Sequence, residues 1–169
     1  MTDAVSIRPG EPTDAGAIAA IYSEGIEDRV ATFETTPRGP EDVLGWTGEG
    51  AAPLLVAEAD GRVLGWARAG DYSDRCVYDG VREYAVYVTR DARGRGIGRV
   101  LLEALIEASE QRGYHKLLSR IFPENAASLG LARTCGFAEI GVHRRHGRLD
   151  GVWKDTVVVE LLLGEAADG

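Results

Sequence analysis

The sequence predicts one α/β domain over residues 1–169, built on a single mixed sheet in the order β-α-α-β-β-β-α-β-α-β-β. Three observations support this. Two β-rich runs, 54–59 and 63–69, flank Asp60-Gly61, a dipeptide whose positive backbone angles suit a tight hairpin turn. An apolar run at 81–88 leads through a glycine-rich stretch into an amphipathic pattern at 97–111 that stops at Gly113, the strand, turn and helix succession of a sheet domain. The chain of 169 residues is 44% hydrophobic, enough for one sizeable core, and no repeat or long linker divides it.

In chain order, residues 5–8 open with a short strand. Thr13 and Asp14 offer N-cap chemistry for a helix over 15–26, where Ile18, Ile21, Tyr22 and Gly25 or Ile26 share a face. Pro40 suits the start of a short helical segment carrying Val43, Leu44 and Trp46, which Gly48 and Gly50 end. After the hairpin and the strand at 81–88, the helix at 97–111 turns Val100, Leu101, Leu105 and Ala108 to the core. A strand at 116–121 follows, then a helix over 125–134 stopped by Gly136, strands at 139–143 and 153–163, and a tail at 164–169 expected to fray.

Charge narrows the partners. The 27 acidic residues exceed the 19 basic ones, for a net charge of −8, which repels nucleic acid and anionic membrane surfaces. The start lacks the charged and apolar blocks of a signal peptide, and no window reaches the roughly 18 apolar residues of a membrane span, so a cytoplasmic location is expected. Cys76 and Cys135 read as buried thiols rather than a disulfide or zinc framework. His143 and His146 have no thiol or carboxylate at ligand spacing, so no metal is expected.

Against that acidic background, the segment from Arg90 to Arg99 holds four arginines and a single aspartate, with glycines at 94, 96 and 98. Lying between a strand and a helix, such a turn can aim backbone N–H groups at a phosphate, helped by the helix dipole. The dinucleotide fingerprint GxGxxG would need glycine where Arg99 stands, and the P-loop lysine and hydroxyl are absent. The motif that fits is Arg93-x-x-Gly96-x-Gly98. It resembles the pyrophosphate signature of the GNAT acetyltransferase superfamily, and the resemblance extends from Ile7-Arg8-Pro9 through Asn125-Ala126-Ala127-Ser128 to Cys135-Gly136-Phe137. The segments beginning at Ala31 (ATFETTPR), Glu83 (EYAVYV) and Gly151 (GVWKD) are similar to the phosphinothricin, arsinothricin and methionine sulfoximine acetyltransferases.

The resemblance implies a GNAT-type, mostly antiparallel central sheet flanked by helices, and acetyl-CoA as cosubstrate without a metal. Main-chain groups of Val86, Tyr87 and Val88 would pair with the pantetheine arm. Arg93, Gly94, Arg95, Gly96, Ile97, Gly98 and Arg99 would wrap the pyrophosphate, and Asn125 would touch the pantetheine end while also suiting a helix N-cap.

Acetyl transfer to an amine needs a base, because an ammonium cannot attack a thioester. Glu83, set in an otherwise apolar and aromatic strand, is the candidate; partial burial there would make it a better proton acceptor, and the related enzymes carry their catalytic glutamate at this place. A backbone N–H near Val86–Val88 would stabilise the developing oxyanion. Many GNAT enzymes supply a tyrosine acid where Ala132 stands, leaving water, Tyr84 or Tyr87 to protonate the thiolate. For a small amino-acid-like acceptor, Arg75 would meet an anionic group and Phe33, Tyr78 and Trp153 would form walls, with Arg29 a further anion contact. Ser73 replaces a basic residue and Asp150 a histidine of the phosphinothricin enzymes, which admits less anionic acceptors. Other readings keep the fold but acetylate a polyamine, an aminoglycoside or a protein N-terminus, or bind acyl-CoA as a sensor. The resemblance also implies a homodimer.

Overall fold

The hairpin forms where Asp60-Gly61 predicts it, with both turn residues at positive φ (52° and 73°) as a two-residue primed turn requires. It joins β2 (Leu54–Ala59) to β3 (Arg62–Asp71), which pair antiparallel. The computed structural model describes residues 4–169. It adds β1 (Ser6–Pro9), β4 (Val81–Val88), β5 (Lys116–Ile121), β6 (Ala138–Leu149) and β7 (Val152–Leu162) in one sheet of order β1-β2-β3-β4-β5-β7-β6. All neighbours are antiparallel except β4 and β5, which the helix α3 (Ile97–Gln111) connects, as a parallel pair requires. The expected mixed, mostly antiparallel sheet is therefore the observed one.

Helices cover both faces. On one side Leu101, Leu102 and Leu105 of α3, with Leu129 and Ala132 of α4 (Ala126–Thr134), bury Ala67, Ala69, Tyr84 and Leu117. On the other, Ile18 and Ile21 of α1 (Ala15–Asp28) and Val43 of the short α2 (Pro40–Val43) pack on Val56 and Trp66. Strand alternation then fixes which residues look where. Tyr84, Val86 and Val88 join the α3 side, whereas Ala85 and Tyr87 join the α1 side, and Glu83 shares their parity.

Several local expectations need correction. Val100 is 46% exposed, and Leu102 takes the core position instead: the buried stripe runs through Ile97, Leu101, Leu105 and Ser109, one residue further round the helix. Asp14 does not cap α1 with its side chain. It accepts from the Glu11 N–H at 2.7 Å and from both terminal nitrogens of Arg8 at 2.8 and 2.9 Å, closing the 3-10 turn Pro12–Asp14 that precedes the helix. Strand β6 continues six residues beyond the expected 143, to Leu149. Its pattern is exposed almost throughout, so no apolar alternation marked it, and a register shift between His143 and Gly147 carries the pairing past the basic stretch. Residues Gly164–Asp168 form a 3-10 turn rather than a frayed end.

Candidate active site

Pairing between β4 and β5 lasts only from Val81 opposite Lys116 to Glu83 opposite Leu118. Both strands run on, to Val88 and Ile121, so they splay and leave the β5-facing main chain of Ala85 to Tyr87 without a strand partner. At the end of β4 the chain enters the turn to α3. There Gly94 and Gly96 have φ of 77° and 81°, a left-handed conformation that costs an L-side chain about 1–2 kcal/mol. Gly96 is the N-cap of α3. No side chain caps the helix, and no acid lies in its first turn. The first N–H groups of a 15-residue helix are thus free for an anion.

The arginines of this turn do not form the expected pool of positive charge. Arg90 is held by Glu27 and Asp28, and Arg93 by Asp28 at 2.8 Å and by the Val88 carbonyl at 3.0 Å. Glu24 adds an acceptor for the Arg90 N–H at 2.8 Å and for the Thr89 hydroxyl. Arg99 pairs with Glu103 one helical turn on. Only Arg95 of the four makes no hydrogen bond or ion pair among the described residues. Two of the arginines therefore act as pins that fasten the turn to the last turn of α1. Burial works against ionisation of Asp28, but its bonds from Arg93 and Arg90 prevail and hold its pKa below the ordinary 3.8. Asn125 takes its capping role: its side-chain oxygen accepts from the Ser128 N–H at 3.1 Å.

Glu83 stands at the last paired position before the splay. Its carboxylate is held by Arg120 of β5 at 2.6 and 3.3 Å. Glu83 is partly buried, its side chain 28% exposed, with a guanidinium as its partner. Arg82 points to the opposite face, as alternation requires, and bonds Asp71 and the Tyr114 hydroxyl. Arg120 was missed because its role depends on the parallel neighbour that only the crossover supplies. Beyond Glu83 on the same face, Tyr87 stacks on Tyr22 and Trp66 with ring centroids 5.1 and 5.0 Å apart, and Trp46 lies 5.2 Å from Trp66. Tyr84, on the far side of the sheet, packs on Phe137 at 4.9 Å with its hydroxyl unbonded. Burial drives the pKa of both Tyr84 and Tyr87 well above the ordinary value.

The residues expected on the acceptor side fall into three places. Arg75 and Tyr78 flank a 3-10 turn between β3 and β4, the guanidinium 6.0 Å from the ring, with Tyr72 edge-on to Tyr78 at 5.8 Å. Phe33, in the connection after α1, meets Phe122 edge-on at 4.8 Å and abuts Gly147, where a Cβ would come within 2.9 Å of its ring. Trp153 lies 48% exposed on β7 beneath Arg148, 4.2 Å away. Asp150, at the β6–β7 turn, is bound by Arg29 at 3.0 Å, so the negative charge that the sequence introduces meets a positive one from the end of α1. The rings of His143 and His146 lie tilted, 4.4 Å apart, and among the described residues no three potential ligands gather as a metal site; of the two thiols expected to be buried, Cys76 is exposed and Cys135 half-buried. No helix among them is long and apolar enough to cross a membrane.

Comparison with known proteins bears on the same features. Residues 18–137 match the acetyltransferase (GNAT) family. The chain is 37% identical over 162 residues to the L-methionine sulfoximine/L-methionine sulfone acetyltransferase of Pseudomonas aeruginosa, covering 94% of each chain. It is 36% identical over 161 residues to the phosphinothricin N-acetyltransferase of Alcaligenes faecalis, covering 93% of this chain and 82% of that one. Its fold superposes with a TM-score of 0.89 on a GNAT superfamily phosphinothricin acetyltransferase from Sinorhizobium meliloti in complex with acetyl-CoA, at 30% identity over 98% of this chain and 91% of that one. The splayed strands, the uncapped helix start and the family match over most of the chain agree: the protein belongs to the GNAT family and is an N-acetyltransferase.

Proposed function

We propose that this enzyme transfers the acetyl group of acetyl-CoA directly to the amino group of a small amino-acid-like acceptor of the phosphinothricin, arsinothricin or methionine sulfoximine type, with Glu83 as general base. One observation carries the reading: β4 parts from β5 immediately after Glu83, so the carboxylate stands at the mouth of the opening that an extended thioester arm would fill. Main-chain groups of Val86, Tyr87 and Val88 would hold the arm like an added strand. The turn fits a diphosphate, because a Cβ at Gly94 or Gly96 would meet nothing within 4 Å, leaving open space before the N–H groups of Ile97, Gly98 and Arg99. When bound, acetyl-CoA supplies the activated acyl group. Arg120 orients Glu83, Glu83 takes the amine proton, and a backbone N–H in the Val86–Val88 segment receives the developing oxyanion. Burial makes Tyr84 and Tyr87 poor acids, which favours water as proton donor to the thiolate in place of the tyrosine that Ala132 lacks.

Arg75 with Tyr78 would meet the acceptor's distal anionic group, and Phe33 and Trp153 would bound the pocket from the α1 connection and the β6–β7 hairpin. The experiment is a screen of amino acids and their phosphinate, arsinate and sulfoximine analogues, with polyamines and peptide N-termini as the contrast, following free thiol. Turnover confined to the polyamines or peptides would replace this acceptor class. The edge strand β6, which carries exposed Ile140 and Val142, offers unpaired backbone groups that a second copy would cover. Sedimentation as a monomer at micromolar concentration would remove the homodimer.

A further inference from the structure

Arg68 is a charged residue that the reaction outlined above does not use. It sits in β3 opposite Leu54 and Ala85, on the sheet face that carries Trp66, Tyr87 and Glu83. Its guanidinium lies over Trp46 at 4.6 Å, and its Nε is buried without a partner. Arg38 and Arg120, over the same face, are taken by Glu34 at 2.9 Å and Glu83 at 2.6 Å. Arg68 makes no hydrogen bond or ion pair with any described residue. Contact with a π-face attracts the charge but leaves the N–H donors unused, and a partly buried guanidinium without acceptors is costly unless something arrives to meet it. Burial is the main cause that lowers its pKa from the ordinary arginine value.

The free donors point toward the chemistry. A Cβ on Gly70 would lie 3.1 Å from Arg68 Nη1, and Gly70 is directly opposite Glu83, where facing Cβ positions are about 5 Å apart. At Gly70, therefore, no side chain stands between the strand positions of a base and an unpaired guanidinium. A planar fork of donors matches a carboxylate, and an α-amino acid carries its carboxylate one carbon away from its amine.

We propose that Arg68 is the binding residue for the α-carboxylate of the acceptor, delivering the adjacent amine to Glu83. This rests on the amino-acid reading above and adds a subsite distinct from Arg75, which is left to the distal group. It also restores a positive contact on a chain that has Ser73 in place of a basic residue.

The test uses L-methionine sulfoximine and its α-carboxamide, which keeps the amine and side chain but lacks the charge, with wild type, Arg68→Met and Arg68→Lys. The expected result is a KM for the acid raised about tenfold or more in Arg68→Met, which is about 1.4 kcal/mol. Arg68→Lys should be intermediate, and the KM values for the carboxamide and for acetyl-CoA should stay within twofold. An unchanged KM for the acid, or an equal rise for the carboxamide, would overturn the subsite while leaving acetyl transfer intact. If wild type acetylates neither compound, calorimetric titration of the acid decides separately. Binding to wild type that Arg68→Met loses keeps the subsite and removes only the transfer reading; no binding, or equal binding to both, removes Arg68 as well.

Discussion

The turn between β4 and α3 presents main-chain N–H groups, whereas the proposed acceptor face presents side chains brought from β3, β4, β5 and the connection after α1. In the turn, Arg90 and Arg93 are spent on α1 carboxylates, and what faces outward is glycine backbone with an uncapped helix start. On the proposed acceptor face, the paired Glu83 and Arg120 share the sheet face of the unpaired Arg68. A site made of backbone recognises a part of the ligand that does not vary. On the proposed reading, one made of side chains sets the acceptor, and Ser73 and Asp150 are the positions at which this chain departs from the phosphinothricin enzymes.

The comparison breaks most sharply at Glu83. Glu83→Gln should lower kcat by about a hundredfold or more, the range for loss of a general base, with acetyl-CoA affinity unchanged by calorimetry. A kcat within threefold of wild type would take Glu83 out of the chemistry. On the backbone side, Gly96→Ala must hold a Cβ at φ 81°, and it should weaken acetyl-CoA binding about tenfold. Gly98→Ala should do much less, because its Cβ would make ordinary contact with Leu131 at 3.5 Å. Equal losses at the two positions would mean that crowding of the ligand, not backbone conformation, governs the turn.

The smallest effect concerns the pins. Asp28→Asn should lower the melting temperature by a few degrees at pH 7. The folded-state pKa of Asp28 is depressed below 3.8, so its contribution is complete above that pH and is lost as pH falls through the folded value. The gap between variant and wild type should therefore close on acidification below about pH 3.8. A gap that persists at the acid end would assign the loss to packing.

Much of the fold was legible because its signals are local. Asp60-Gly61 marked the hairpin, Gly113 and Gly136 ended helices close to where they stop, and the glycines at 94 and 96 marked a left-handed turn. Val100 misled because an amphipathic stripe admits a neighbouring frame, and only packing on the sheet selects Leu102. The length of β6 stayed hidden because an exposed edge strand needs no apolar alternation.

Within the site, Glu83 was readable as an acid set among apolar neighbours, but its partner was not, since Arg120 lies 37 residues away on a parallel strand. The same holds for Arg29 with Asp150, 121 residues apart, and for Phe33 against Gly147.

The sequence by itself determined the order of elements, the glycine turn and the acidic residue at its approach, because backbone conformation and alternation depend on near neighbours. The tertiary structure alone decided which charges neutralise one another and which guanidinium is left over. Those pairings are made between strands and helices that meet only after the sheet has closed around its two cores.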